Sequence, residues 1–265
     1  MAGPLGGRYH SPNPMSDAAP HLSVIVPSYN NADRLPASLR DLKAFCEALP
    51  FTWELLIVDD CSPDVEAARI LRAFAAAEPG VTLLRNEPNR GKGASVARGM
   101  LAATGRYRVF TDVDLAYPPS EVLVILKALE AGSEVAIACR VHPKSTYIMN
   151  VGFLNYIYTR HVMSRIFNRI VRAVLLRDVL DTQAGLKGVT AAMAETVFKR
   201  LTIDRFGFDV EALFIAQRHG GRVEQCPITF RYDSEPTTMS FAGDSVQMLK
   251  DIAHIRLGGW RGRYD

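Results

Sequence analysis

A chain of 265 residues is long enough to bury the core of one large α/β domain or two small ones. With 48% apolar and 22% charged residues, it is not wholly disordered, collagenous or membrane-embedded. A net charge of +3, from 31 basic and 28 acidic side chains, excludes a nucleic-acid binder unless the charges are segregated. They are segregated in one place. Val135 to Leu176 contains no Asp or Glu, yet Arg140, Lys144, Arg160, Arg165, Arg169 and Arg172 fall there, and Arg177 follows at once.

Met1 to Pro20 holds seven Gly and Pro residues and reads as a disordered leader, with Met15 as an alternative start. From Leu22 onward, short apolar runs alternate with helical patterns. Leu22–Val26, Trp53–Val58, Val81–Leu84, Tyr107–Thr111 and Glu134–Cys139 have the apolar, β-branched character of buried parallel strands. Between the first two, Asp33–Leu49 sets Leu35, Leu39, Leu42, Cys46 and Leu49 on one helical stripe, with Pro36 in the first turn. Asp64 is placed to cap the next helix, and Gly105 to stop the third. Strand and helix in alternation predict a single α/β domain, residues 21–265, with a mainly parallel central sheet flanked by helices. Such sheets bind ligands beyond the carboxyl ends of their strands. After Arg140 the alternation weakens. Tyr147–Leu176 reads as one or two helices, Ala191–Arg200 and Asp209–His219 as helices, Arg222–Tyr232 as a strand and Asp244–Leu257 as a last helix. Cys46, Cys61, Cys139 and Cys226 lie far apart, which indicates neither a disulfide framework nor a structural metal and suits a reducing cytosol. No uncharged apolar stretch reaches 18 residues, so no spanning helix is expected.

The strand ends carry the chemistry. Pro27-Ser28-Tyr29-Asn30 follows the first strand and Asp59-Asp60 ends the second. There a carboxylate can accept from a ribose hydroxyl or a base N–H, and an aromatic can pack on a base, although a turn and a capping Asp explain each motif in isolation. Asn89-Arg90-Gly91-Lys92-Gly93-Ala94-Ser95 lacks the glycine spacing of a P-loop and, with Val96 at the third glycine position, of a dinucleotide fingerprint. What remains is a glycine-rich helix entrance with two cations, suited to a diphosphate or to a solvated basic turn. Thr111-Asp112-Val113-Asp114 sets two carboxylates at i and i+2; on extended backbone both face one side, where a hard divalent cation can bridge to a diphosphate.

In this order the motifs resemble those of the family 2 glycosyltransferases, whose nucleotide-sugar-binding fold is called GT-A; the resemblance covers roughly Leu22 to Trp260. Asp181-Thr182-Gln183-Ala184-Gly185-Leu186-Lys187 and Arg205-Phe206-Gly207-Phe208-Asp209-Val210-Glu211 narrow it to the dolichyl-phosphate β-glucosyltransferases and other polyprenyl-phosphate hexosyltransferases. The resemblance implies that Pro27, Tyr29, Asn30 and Asp59 hold the nucleoside, that Arg90 and Lys92 lie near the diphosphate, that Asp112 and Asp114 bind Mg²⁺ or Mn²⁺, and that Asp209 is the catalytic acid. Departures exist. Ala116 stands where related mannose synthases tend to have Gln, Ala184 and Leu186 replace the more usual Cys or Ser and Phe, and a Gly-Ser-Lys expected in the region of Ser234–Ser240 is absent.

The acid-free segment then becomes the acceptor side. In a helix over Ser164–Leu176, Arg165, Arg169 and Arg172 fall within about 60° of one another, beside Ile166, Phe167, Ile170, Val171 and Val174, a pattern suited to an anionic membrane interface. Placing Arg169 and Arg172 at the bilayer centre would cost about 2.5–3.5 kcal/mol each. Tyr147, Phe153, Tyr156 and Tyr158 add headgroup-level aromatics; a helix packed on the sheet or a dimer interface is the competing reading. Residues 141–177 are thus expected to form a helical membrane-interface segment of a cytoplasmic enzyme bound peripherally to the inner membrane face. The expected reaction is an inverting, metal-dependent transfer of a hexose, glucose first, from a UDP-sugar to polyprenyl phosphate, with Arg140 and Arg231 on the acceptor phosphate. The alternatives are a soluble family 2 enzyme using GDP-mannose, UDP-GalNAc or a hydroxyl acceptor, and a nucleotide-sugar-binding protein with a dead site.

Overall fold

The computed structural model describes residues 19–149, 167–232 and 241–265. The first half alternates strictly: β1 (Leu22–Ser28), α1 (Leu35–Glu47), β2 (Trp53–Asp59), α2 (Val65–Ala77), β3 (Val81–Arg85), α3 (Lys92–Ala102), β4 (Tyr107–Thr111), α4 (Glu121–Glu130) and β5 (Val135–Ala138). All five expected strands form within two residues of their expected ends. Pro36 enters α1 in its first turn, and Asp64 Oδ1 accepts from the N–H groups of Glu66 and Ala67 at 2.9 and 3.3 Å, capping α2.

With β7 (Leu186–Thr190) and β8 (Val223–Cys226), seven strands form one sheet in the order β3-β2-β1-β4-β7-β5-β8. All its pairings are parallel except those of β7, which lies antiparallel between β4 and β5. Successive β1 residues feed opposite layers. Val24 and Val26 pack with α1, α2 and α4, whereas Ile25 packs with α3 and with α6 (Ala191–Phe198), α7 (Phe208–Arg218) and α8 (Phe241–Trp260).

No strand is expected from the sequence at β7. Lys187 and Gly188 break its apolar character, yet both are buried, the lysine by pairing with an acid and the glycine by lying where a Cβ would come 2.6 Å from Ile125 Cγ2. The single strand expected over Arg222–Tyr232 is two. Pro227 has no N–H to donate, and it divides β8 (Val223–Cys226) in the main sheet from β9 (Thr229–Tyr232), which pairs in parallel with β6 (Thr146–Met149). Tyr147 therefore sits in a strand rather than opening a helix. Residues 167–174 are helical (α5), with Val171 buried, Arg169 exposed and Arg172 donating from Nε to the Arg177 carbonyl at 3.2 Å. The leader to residue 18, Phe153, Tyr156, Tyr158, Arg160, Ser164, Arg165 and Ile166, and the Ser234–Ser240 stretch lie outside the described residues. Among the described residues no helix is long and apolar enough to cross a membrane.

Candidate active site

The loops after β1 to β5 gather at the carboxyl edge of the parallel strands, where β7 also begins. After β1, Asn30 and Asn31 both adopt left-handed backbone, which Asn tolerates, and Tyr29 is left largely exposed. The Asn30 N–H donates to Ser62 Oγ at 2.8 Å. That serine also donates from its N–H and hydroxyl to buried Asp59 Oδ1, at 3.0 and 2.5 Å, while Arg85 holds Asp59 Oδ2. Asp59 is thus fixed by three donors, and a carboxylate has about four lone-pair sites to offer, which leaves it able to accept one more hydrogen bond. Arg85 has no signal in the sequence, and Ser62 is visible there only as the residue three past Asp59.

Asp60 organises the glycine loop. Its buried carboxylate accepts from Asn86 Nδ2 (2.7 Å), Asn89 Nδ2 (2.8 Å), the Arg90 N–H (3.0 Å) and the Gly91 N–H (2.7 Å). Two loop N–H groups that the sequence offered to a diphosphate are therefore occupied by an internal acid. Gly91 has φ of 110°, which only glycine adopts without strain. The Arg90 guanidinium turns to Asp204 at 3.0–3.2 Å and is largely exposed. Lys92 turns inward, with Nζ 2.6 Å from Asp112 Oδ1. We expect Asp60→Ala to release this loop and lower affinity for a nucleoside diphosphate by about tenfold or more, each lost charge-assisted bond being worth about 1.5–3 kcal/mol. Titration calorimetry on a variant with intact circular dichroism checks it; wild-type affinity would make Asp60 merely structural.

The two aspartates of the Asp112-Val113-Asp114 motif stand in a turn, not on extended backbone. The Leu115 N–H donates to the Asp112 carbonyl at 3.1 Å, and Leu115 is left-handed with φ of 51°. Val113 is nonetheless buried in the core. Asp114 lies exposed on this turn, accepting from the Ala116 N–H at 3.1 Å. The protein around it, and then Asp112, push its carboxyl above the usual range, a repulsion that a cation would relieve. Gly185 adjoins Asp112 so closely that a Cβ there would lie 1.9 Å from Oδ2. Two hard oxygen donors in a glycine-walled cradle fit a small divalent cation completed by phosphate oxygens. Among the described residues no group of three or more His, Cys, Asp or Glu stands ready to hold a metal by itself.

Behind this pair lies a second one. Lys187 on β7 places Nζ 2.5 Å from Asp209 Oδ1 in the first turn of α7, where the helix dipole favours an anion; both side chains are buried. Burial pushes the Asp209 carboxyl up and the Lys187 ammonium down. Burial also opposes the charge of Lys92, but Asp112 and Asp209 outweigh it and hold that ammonium above its ordinary value. The two ammonium groups lie 5.9 and 5.5 Å from the Phe110 ring centroid. From exposed Asp114 inward, two neighbouring acids, Asp114 and Asp112, are thus followed by Lys92, Asp209 and Lys187, with the charge changing sign at each step after Asp112. Lys187 is visible in the sequence only as the last residue of a motif, and its burial against Asp209 has no signal there.

The two arginines expected on the acceptor phosphate are differently placed. Arg140, past β5, forms a bidentate pair with Asp181, Nε and Nη2 each at 2.8 Å, and adds its own N–H at 2.9 Å. Burial works against the Asp181 charge, but Arg140 outweighs it and holds the carboxyl below its ordinary value. Arg231, on β9, is exposed, and its N–H donates to the Ala116 carbonyl at 2.7 Å, which brings β9 against the turn that carries Asp114.

The family model for glycosyl transferase family 2 matches residues 23–196. Dolichyl-phosphate β-glucosyltransferase of Dictyostelium discoideum is 32% identical over 258 residues, covering 91% of this chain and 76% of that protein. The human protein of that name is 29% identical, with 91% and 77% covered. Among solved structures, glucosyl-3-phosphoglycerate synthase from Mycobacterium tuberculosis in complex with uridine diphosphate superposes with a TM-score of 0.67 at 16% identity, covering 89% of this chain and 80% of that one. The same enzyme in complex with Mg²⁺ and uridine diphosphate has a TM-score of 0.65 at 17% identity, covering 89% and 79%.

Proposed function

From the premise that the chain belongs to glycosyl transferase family 2 and has the GT-A fold, we propose that it transfers glucose from UDP-glucose to a polyprenyl phosphate of the dolichyl type, with inversion at the sugar carbon. Tyr29 packs on the base, Asp59 accepts its remaining hydrogen bond from base or ribose, and Pro27 and Asn30 shape the nucleoside loop. Lys92 moves from Asp112 to the diphosphate as the donor enters, while Arg90 supports it from the rim. Asp114, with Asp112 assisting, would hold Mg²⁺ or Mn²⁺, which supplies charge neutralisation for the departing diphosphate. The Mycobacterium tuberculosis synthase of similar fold was solved with uridine diphosphate and either ion.

One observation carries the choice of acceptor: Asp209 is already held by Lys187 at 2.5 Å. A carboxylate so engaged is poorly placed to take a proton from a hydroxyl. A phosphate monoester needs no such base, because its second pKa is near 6 and it is largely a dianion at neutral pH. A lipid phosphate oxygen attacks the sugar carbon on the face opposite UDP, the carbon–oxygen bond to UDP breaks with its electron pair, and no proton has to move. Asp209 orients Lys187 and the sugar. Arg231 contacts the acceptor phosphate, with Arg140 reaching it from within its pair to Asp181. The protein then works as a peripheral enzyme at the cytosolic membrane face. A soluble enzyme acting on a hydroxyl acceptor would need Asp209 released from Lys187. Incubation with labelled UDP-glucose, labelled GDP-mannose, Mn²⁺, detergent and a short polyprenyl phosphate tests the proposal. Lipid-linked glucose is expected from UDP-glucose; no lipid product from either donor overturns it.

A further inference from the structure

Helix α8 has two apolar faces, and among the described residues only one of them is covered. Met248, Ile252 and Ile255 are buried, Gln183 Nε2 meets Met248 Sδ at 4.0 Å, and Gly207 is so close that a Cβ would lie 2.3 Å from Asp251 Oδ2. The inner face of α8 thus rests on the two segments that carry Gly185 and Asp209. On the outer face Leu249 is 48% exposed, Leu257 45% and Trp260 70%. At roughly 100° per residue, Leu249, Trp260, Ala253 and Leu257 fall within an arc of about 80°. Arg256 lies at one margin, with its guanidinium carbon 5.0 Å from the Trp260 ring centroid, and Lys250 and Arg261 lie at the other. From residue 247 to residue 264 the one acidic side chain, Asp251, is turned inward and buried, whereas Lys250, Arg256, Arg261 and Arg263 are all cationic.

We infer that the outer face of α8 docks on an anionic lipid bilayer. A shallow apolar stripe with an exposed tryptophan, edged by cations and free of acids, matches the interface between acyl chains and anionic headgroups. A protein partner covering the same stripe would need acids on its own surface, whereas a bilayer supplies both the negative charge and the apolar depth. This deepens the lipid-phosphate reading and rests on it: lying flat on the surface, α8 brings the Asp209 side of the cleft to the headgroup level where a polyprenyl phosphate presents its phosphate. It also assigns membrane contact to a segment that lies outside residues 141–177.

The test uses the full chain and vesicles of phosphatidylcholine containing about 30% phosphatidylglycerol, without polyprenyl phosphate. The protein is expected to co-sediment with these vesicles and much less with phosphatidylcholine alone. Its tryptophan emission should shift to the blue, and the shift should vanish in Trp260→Phe, because the chain's other tryptophan, Trp53, is already half-buried. Leu257→Glu with Trp260→Glu should cut vesicle partitioning at least tenfold. Lys250→Gln, Arg256→Gln and Arg261→Gln should each lower it about fivefold, all with unchanged UDP-induced rise in melting temperature. Absence of wild-type binding, or variants that bind as wild type while Arg165, Arg169 and Arg172 changed to Glu do not, would overturn the inference. So would a solution dimer that Trp260→Glu dissociates, which would give the face to a second copy. Glucose transfer to polyprenyl phosphate in detergent is scored separately, so its presence without vesicle binding removes the docking face and leaves the activity standing.

Discussion

Asp114→Asn should lower kcat/KM for glucose transfer by about 10²- to 10³-fold, the range for losing one group that stabilises charge developing in the transition state. The substitution keeps the oxygen that accepts from the Ala116 N–H and removes only the charge. Asp114 is exposed rather than in the core, so the melting temperature should stay within about 2 °C of wild type, as for surface substitutions generally. The loss should grow as Mn²⁺ is lowered, because the remaining Asp112 is shared with Lys92. Steady-state kinetics over a metal titration give the result directly. An Asp114→Asn enzyme within threefold of wild type at every metal concentration would remove Asp114 from the site.

The second large effect concerns the buried pair. Lys187→Met leaves the Asp209 carboxylate without its partner in a site with almost no solvent, and breaking one side of a buried ion pair costs about 3–5 kcal/mol of stability. Lys187→Met combined with Asp209→Leu removes both charges, and it should recover most of that stability in urea unfolding while remaining inactive. Asp209→Asn alone should keep donor binding and retain measurable transfer to a phosphate acceptor. A double variant no more stable than the single Lys187→Met would show that the pair is not what destabilises the single change. Complete loss of transfer in Asp209→Asn with normal donor binding would make Asp209 a general base.

The first half of the fold could be read from the sequence because its determinants are local. A run such as Leu22–Val26 is apolar on both faces, Pro36 and Asp64 mark helix entrances, and each strand end announces its loop. What escaped is set by partners far away in sequence. Strand β7 contains Lys187 and Gly188, which look unlike a buried strand until Asp209 and Ile125 are placed against them. Asp60 resembles a second nucleoside ligand in sequence, and only the approach of the Arg90 and Gly91 N–H groups reveals it as the holder of the loop. The Asp112-Val113-Asp114 spacing did not reveal the left-handed Leu115 that bends the motif into a turn. At Pro227 the missing N–H was a local signal with a non-local result, since where β9 went depended on β6. The outer face of α8 was hidden for the opposite reason: apolar residues on both faces read as ordinary core until the covered face is known.

An acceptor that arrives already ionised needs no base, so the decisive measurement compares two lipids of equal chain length, polyprenyl phosphate and the corresponding polyprenol, with labelled UDP-glucose, Mn²⁺ and detergent. Glucosylated polyprenyl phosphate and no transfer to the polyprenol is the predicted result. Transfer to the polyprenol at a comparable rate would contradict the account, because it would require a base that the Lys187–Asp209 pair does not leave free.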